Sequence, residues 1–119
     1  MTLNSLPLSD APTKIDLTLG STLTAGLDAR KSVGLDQILW AGDMNFDDLI
    51  KYSGVSNDRD GILIAIGGTV PTNTVIAYST EDANLDGTIK YTGASNDRDI
   101  ILQNIGGIVP TNVRTGTNP

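Results

Sequence analysis

Eight carboxylates and two asparagines stand at positions suited to holding a hard cation, in two segments of matching spacing. Asp82, Asn84 and Asp86 occupy positions 1, 3 and 5 of an acidic loop, with Gly87 at position 6 and Thr88 at position 7. The alternation aims three side-chain oxygens at one centre, and glycine lets the chain turn sharply. Thr88 would add its backbone carbonyl, and Ile89 would anchor the loop to a core. This is the first half of an EF-hand-type loop. The usual acidic ligand at position 12 is missing, because Gly93 falls there. If residues 90–95 are an insertion, Asp99 takes the closing role, and Asp97 either caps the following helix or is a further ligand. The other copy carries Asp43, Asn45, Asp47, Leu49 (through its carbonyl) and Asp60, with Asp58 as the alternate. It departs at position 6, where Asp48 replaces glycine. Aspartate is among the few residues that tolerate a left-handed backbone, so this site survives in a less ideal form. The plain alternative is a pair of Asx-rich turns that hold no metal.

The two segments are near-copies. Residues 41–73 and 80–112 align without a gap at an offset of 39, with 21 of 33 positions identical. Repetition on this scale implies one supersecondary unit used twice. The chain has 119 residues and a formal net charge of −6, and ten of its 14 acidic residues lie in the repeats. One divalent cation per repeat would bring the balance to −2, so the excess acidity reads as ligand charge. A basic footprint for nucleic acid is absent. With no cysteine and no histidine, disulfides, thiolate metal sites, imidazole bases and His triads are excluded. What remains for a metal is a set of hard oxygen donors, which suits two Ca²⁺ ions better than Mg²⁺ with its strict octahedron. The obvious carboxylates are claimed by the loops, so the chain does not read as an enzyme.

The elements that must position these residues are short. Residues 62–66 and 100–105 are expected as helices of two to three turns. Asp58 and Asp97 stand near their starts, and Gly67-Gly68 and Gly106-Gly107 offer left-handed C-caps ahead of Pro71 and Pro110. Upstream, 14–19 alternates polar and apolar residues as a half-buried strand does, 21–25 is a weaker strand, and 37–40 is a short apolar one. The region before Lys14 reads as irregular. The expected fold class is therefore α+β, with short N-terminal β-strands followed by two EF-hand-like loop–helix repeats. The segments are 1–38 (β segment), 39–77 (first repeat) and 78–119 (second repeat with a polar tail). Five aromatics leave a thin core of Ile, Leu and Val, which a metal would help to staple. Two or three isolated strands are marginal. They must pack on the repeats or pair with another chain.

The duplicated loop-plus-helix without an entering helix resembles type I dockerin modules. In particular it is similar to the dockerin-like C-terminal repeats of large secreted, adhesin-like bacterial surface proteins. The resemblance covers residues 39–112. It implies two calcium ions, one per repeat, with the repeats in a pseudo-two-fold, dockerin-like arrangement, and an extracellular or cell-surface place. The Lys-Tyr-Ser/Thr-Gly stretches at 51–54 and 90–93 lengthen both loops beyond a standard dockerin, so cohesin binding does not carry over. Tyr52 and Tyr91 are expected to cover the loop–helix junction, and Arg59 and Arg98 to bridge each helix start to a carboxylate or carbonyl. Such a module should carry a signal peptide. MTLNSLPLSD is not one, which suggests a fragment or a mature form. No apolar run approaches the length of about 18 residues of a membrane span. The expected role is a non-catalytic assembly module. It would join subunits through the N-terminal strand, up to a homopolymer or filament, or attach a larger surface protein. The alternative is a heterotypic protein-binding module that anchors an enzyme or adhesin to a scaffold.

Overall fold

A computed structural model describes residues 2, 14–25 and 28–115. The chain divides into two compact units, one of which is Ala41–Thr115, and the other holds the N-terminal residues through Trp40.

In the N-terminal unit, β1 (Lys31–Val33) and β2 (Asp36–Ile38) form an antiparallel hairpin in which Lys31 faces Ile38. Gly34, at φ +63°, opens its two-residue turn. The alternation at 14–19 does not become a strand. The Asp16 carboxylate accepts from Thr18 N at 3.0 Å and from Thr18 Oγ1 at 2.6 Å. That local turn competes with ladder pairing. Only Leu19 bridges to Asp36, and in the expected strand 21–25 only Thr24 bridges, to Thr2. Arg30 ties this stretch together through the carbonyls of Leu17, Leu19 and Thr22. The expected strand at 37–40 is realised one residue earlier, as β2, and its partner β1 was not anticipated. Trp40 donates its indole N–H to the Asp28 carbonyl at 2.6 Å, with Lys31 Nζ 5.6 Å from the ring centre. Most of the irregular stretch before Lys14, and residues 116–119 of the expected polar tail, lie outside the described residues.

The Ala41–Thr115 unit runs β3 (Leu49–Lys51), α1 (Arg59–Ala65), β4 (Thr74–Ile76), β5 (Thr88–Lys90), α2 (Asp97–Asn104), β6 (Val113–Thr115). Here the expected fold is corrected. Two EF-hand-like loop–helix repeats in a dockerin-like arrangement do not form. Among the described residues, six short strands make three antiparallel two-stranded sheets, accompanied by two short helices. The class is mixed α+β, but strands carry most of the connections. The physical reason lies in the supposed insertions. Ile50 and Ile89 are buried β-branched residues at the centres of half-buried triplets that pair as strands, so Lys51 and Lys90 belong to ladders and not to lengthened loops. The strand that follows each helix then pairs with the other repeat: β4 with β5, and β6 with β3. Val113–Thr115, read as the start of a polar tail, is thus a structural strand.

Helices of seven and eight residues are too short to be stable alone, so packing must hold them. α1 packs on α2 and β5, and α2 packs on β3 and β5. Between them lie Ile50, Ile62 and Ile101, fully excluded from solvent, with Ile66, Ile89, Ile105 and Met44 also buried. The glycine pairs end both helices as expected. Gly68 N reaches Leu63 O and Gly107 N reaches Leu102 O, each at 2.8 Å, while Gly67 and Gly106 bond the carbonyls of Ile64 and Gln103. This is the Schellman pattern. Among the described residues no helix is long and apolar enough to cross a membrane.

Candidate metal centres

Each acidic loop is wound on its own side chains. In the second, Asp82 accepts from Asp86 N (3.1 Å) and Gly87 N (2.9 Å), Asn84 from Asp86 N (2.8 Å), and Asp86 from Thr88 N (2.9 Å). In the first, Asp43 accepts from Asp47 N (3.3 Å) and Asp48 N (3.1 Å), Asn45 from Asp47 N (3.0 Å), and Asp47 from Leu49 N (3.0 Å). Leu49 and Thr88, expected to give carbonyls, are the first residues of β3 and β5. Position 6 is left-handed in both loops, at φ +65° for Asp48 and +81° for Gly87. A β-carbon on Gly87 would lie 3.0 Å from the Tyr78 ring, so a side chain there would push the tyrosine aside as well as strain the left-handed backbone. Position 4 is left-handed too, at Phe46 and Leu85. Nothing in the apolar character of these two residues signalled it.

The two acids at each helix start do different things. Asp97 is fully buried, and its oxygens accept from Asn84 N (3.3 Å) and Lys90 N (2.8 Å). Asp58 does the same with Met44 N (2.8 Å) and Lys51 N (2.7 Å). Each therefore clamps a loop and a strand to the first turn of a helix. Neither caps the helix. That work falls to Asn96 and Asn57, whose side chains accept from Asp99 N (3.0 Å) and Asp60 N (3.1 Å). The same amides donate to the Asp99 and Asp60 carboxylates, at 2.9 and 2.8 Å. The first bond of each pair is the N-cap bond of a capping box, while the second runs between side chains and leaves the Asn backbone N–H out of it. Asn at this spacing before the helix was the available signal for it. Arg59 and Arg98 stack on Tyr52 and Tyr91, each 5.1 Å from the ring centre. Arg59 adds a 4.0 Å contact to Asp60.

Asn84, Asp86 and Asp99 line one cavity of about 350 Å³, together with Ser95, Asn96, Ile100 and Gln103. Among the described residues no three acidic side chains converge as a metal-holding group. Asp82 and Asp97 have turned their oxygens to backbone N–H groups instead. The donors facing the cavity are nevertheless all oxygen or amide groups, with two carboxylates and no basic side chain. In kind, this set fits a hard cation.

Burial pushes the Asp97 carboxyl above the ordinary carboxylate range. The N–H groups of Lys90 and Asn84 pull it back in part, and the charge of Asp82 pushes it further up. Asp58 is raised in the same way, by burial first and then by Asp43 and Asp47, against the pull of Lys51 N and Met44 N. A carboxyl raised on folding binds more protons folded than unfolded, so its charging costs stability as pH climbs through the raised range. Asp16 and Glu81 are lowered, chiefly by hydrogen bonds from Thr18 and Ser79. Their stabilisation is lost only below the ordinary range. In calcium-free buffer the melting temperature should therefore rise as pH falls from neutral toward about 4, and drop below that. Thermal melts across this range check it; a melting temperature that falls throughout contradicts it.

Comparison with family models, with curated proteins and with solved structures gives no match to this chain.

Proposed function

We propose that the two acidic loops take calcium, one ion each, and that the chain is a non-catalytic extracellular module that joins subunits or attaches a larger surface protein. The observation that carries this reading is the cavity of Asn84, Asp86 and Asp99. It is lined by oxygen donors, holds no basic side chain, and has the buried carboxylates of Asp82 and Asp97 in the same loop and helix start. Four carboxylates gathered at one loop and helix start, with no basic side chain in the cavity lining, favour a cation there. Asn84, Asp86 and Asp99 would hold it in the second repeat, and Asn45, Asp47 and Asp60 in the first. When bound, calcium supplies charge neutralisation and ties the loop to the helix start, so that its binding free energy adds to folding. Millimolar extracellular calcium keeps even weak sites of this type filled.

A second reading, a heterotypic module that anchors an enzyme or adhesin to a scaffold, draws on exposed apolar side chains. Phe46 and Leu85 in the loops, Ile64 on α1 and Ile108 after α2 are each at least two-thirds exposed.

Melting in millimolar calcium against EGTA tests the first reading. A site saturated a hundredfold above its dissociation constant contributes about 2.7 kcal/mol, so two sites should raise the melting temperature by roughly 20 °C. Magnesium should do far less. Equal melting temperatures in calcium and EGTA would sink the proposal.

A further inference from the structure

The two halves of the Ala41–Thr115 unit are joined by one seam used twice. β4 pairs with β5 through Thr74↔Lys90, Val75↔Ile89 and Ile76↔Thr88. β6 pairs with β3 through Val113↔Lys51, Arg114↔Ile50 and Thr115↔Leu49. Adding 39 to each β4 number gives its β6 counterpart, and subtracting 39 from each β5 number gives its β3 counterpart, so the registers are the same. Side chains repeat the seam as well. Thr92 Oγ1 donates to Pro71 O at 3.0 Å, and Ser53 Oγ donates to Pro110 O at 2.8 Å. Each half thus presents a strand that receives and a strand that is given. Neither half buries its core alone, because α1 packs on β5 of the other half and α2 on β3.

A single covalent crossing, residues 77–81, joins these halves. It carries the exposed residues Tyr78, Ser79 and Thr80, and a turn in which Asp82 N bonds Ser79 O at 3.1 Å. From this we infer that the partner suited to the seams is a second copy of this chain, taken up by reciprocal exchange of halves. In the exchanged pair, residues 41–76 of one copy fold onto residues 82–115 of the other. Every strand pair and buried contact is reproduced, Ala77 N keeps its 3.1 Å bond to Gly87 O, now of the other copy, and the path of residues 78–81 changes. Exchange of identical elements is a low-cost route to dimers, and its control lies in the hinge. The short crossing holds the halves at a high effective concentration and favours the closed single chain at low protein concentration. The inference concerns the seams alone and stands whether or not the loops take a cation.

Deleting Ser79 and Thr80 from the full chain removes the turn in which Asp82 N bonds Ser79 O and shortens the crossing, which disfavours closure within one copy. We expect a dimer of twice the monomer mass by sedimentation, with unchanged helix and strand content by circular dichroism. A folded monomer would overturn the inference. Because the deletion could also prevent folding, a second experiment uses full-length single variants. Lys51→Cys and Val113→Cys chains are mixed, refolded together from urea at high concentration and oxidised. The chain has no native cysteine. Exchange yields a disulfide-linked heterodimer across the β3–β6 seam. The double variant in one chain, which should close an internal disulfide, confirms that the pair can bond. An internal bond in the double variant with no linked heterodimer from the mixture would overturn the inference.

Discussion

Replacing Asp97 with alanine should cost about 3–5 kcal/mol of folding stability in calcium-free buffer, a large share of the roughly 5–15 kcal/mol a domain has. The carboxylate is fully buried and accepts from Asn84 N and Lys90 N. Without it, two backbone donors in the loop and at the end of β5 lose a charged acceptor in a place water does not reach. Hydrogen bonds to charged groups contribute about 1.5–3 kcal/mol each, and a buried donor left without a partner costs a similar amount. Asparagine should cost less, about 2 kcal/mol, because its amide oxygen still accepts from one of the two. Asp58→Ala should behave alike, since Met44 N and Lys51 N would lose their acceptor. Urea unfolding of these variants measures the effect, and a loss under 1 kcal/mol for Asp97→Ala would contradict the clamp. Asp99→Ala provides the contrast. Asp99 is exposed and its carboxylate accepts one bond, from the Asn96 amide, so without calcium the loss should be about 1 kcal/mol or less. In calcium the ranking of consequences changes, because Asp99 lines the cavity and its loss should abolish the second repeat's calcium response.

Truncating Ile101 to alanine should cost about 3–5 kcal/mol, and Ile62→Ala a similar amount. Both side chains are completely buried, one on each helix, in a core that contains few large residues. Around Ile101 there is little slack. A β-carbon on Gly42 would meet its Cγ1 at 3.3 Å, and Gly42 sits at φ +110°, where few other residues fit. Valine at either position should cost only about 1 kcal/mol, since one methylene is lost. Because α1 and α2 pack together, the double alanine variant should depart from additivity by at least about 0.5 kcal/mol. Chemical unfolding of the five variants provides the numbers. An Ile101→Ala cost below about 1.5 kcal/mol would mean that the isoleucine layer is not the core of this unit.

The repeat, the helices and their ends were legible in the sequence, because each rests on local chemistry. Asp-Arg-Asp followed by aliphatics and a glycine pair specifies a short helix with a left-handed stop, whatever surrounds it. The spacing marked where the acidic loops lie, but Asp82, Asn84 and Asp86 bond their own loop's backbone, the alternative to oxygens converging on one centre. The strand exchange was not. A triplet such as Thr88–Lys90 has the length of a loop insertion, and its ladder partner Thr74–Ile76 lies on the far side of an acidic loop. For Leu49–Lys51 the partner is more than sixty residues away at Val113–Thr115, beyond the reach of any periodicity. The N-terminal alternation misled for the opposite reason. Asp16 captured Thr18 locally, so a strand-like pattern became a turn. The division of labour between Asp97 and Asp99 was also hidden, because two acids two residues apart differ only in which way the first helical turn points them.

Calcium titration of the full chain by isothermal calorimetry tests the central claim most directly. The account predicts saturable binding of two ions per chain, one of them lost in Asp99→Ala and the other in Asp60→Ala, with affinity falling as pH drops because protons compete for the same carboxylates. No binding of calcium at millimolar concentration, by a chain that is folded at that pH, would contradict it and leave the loops as Asx turns closed by their own backbone.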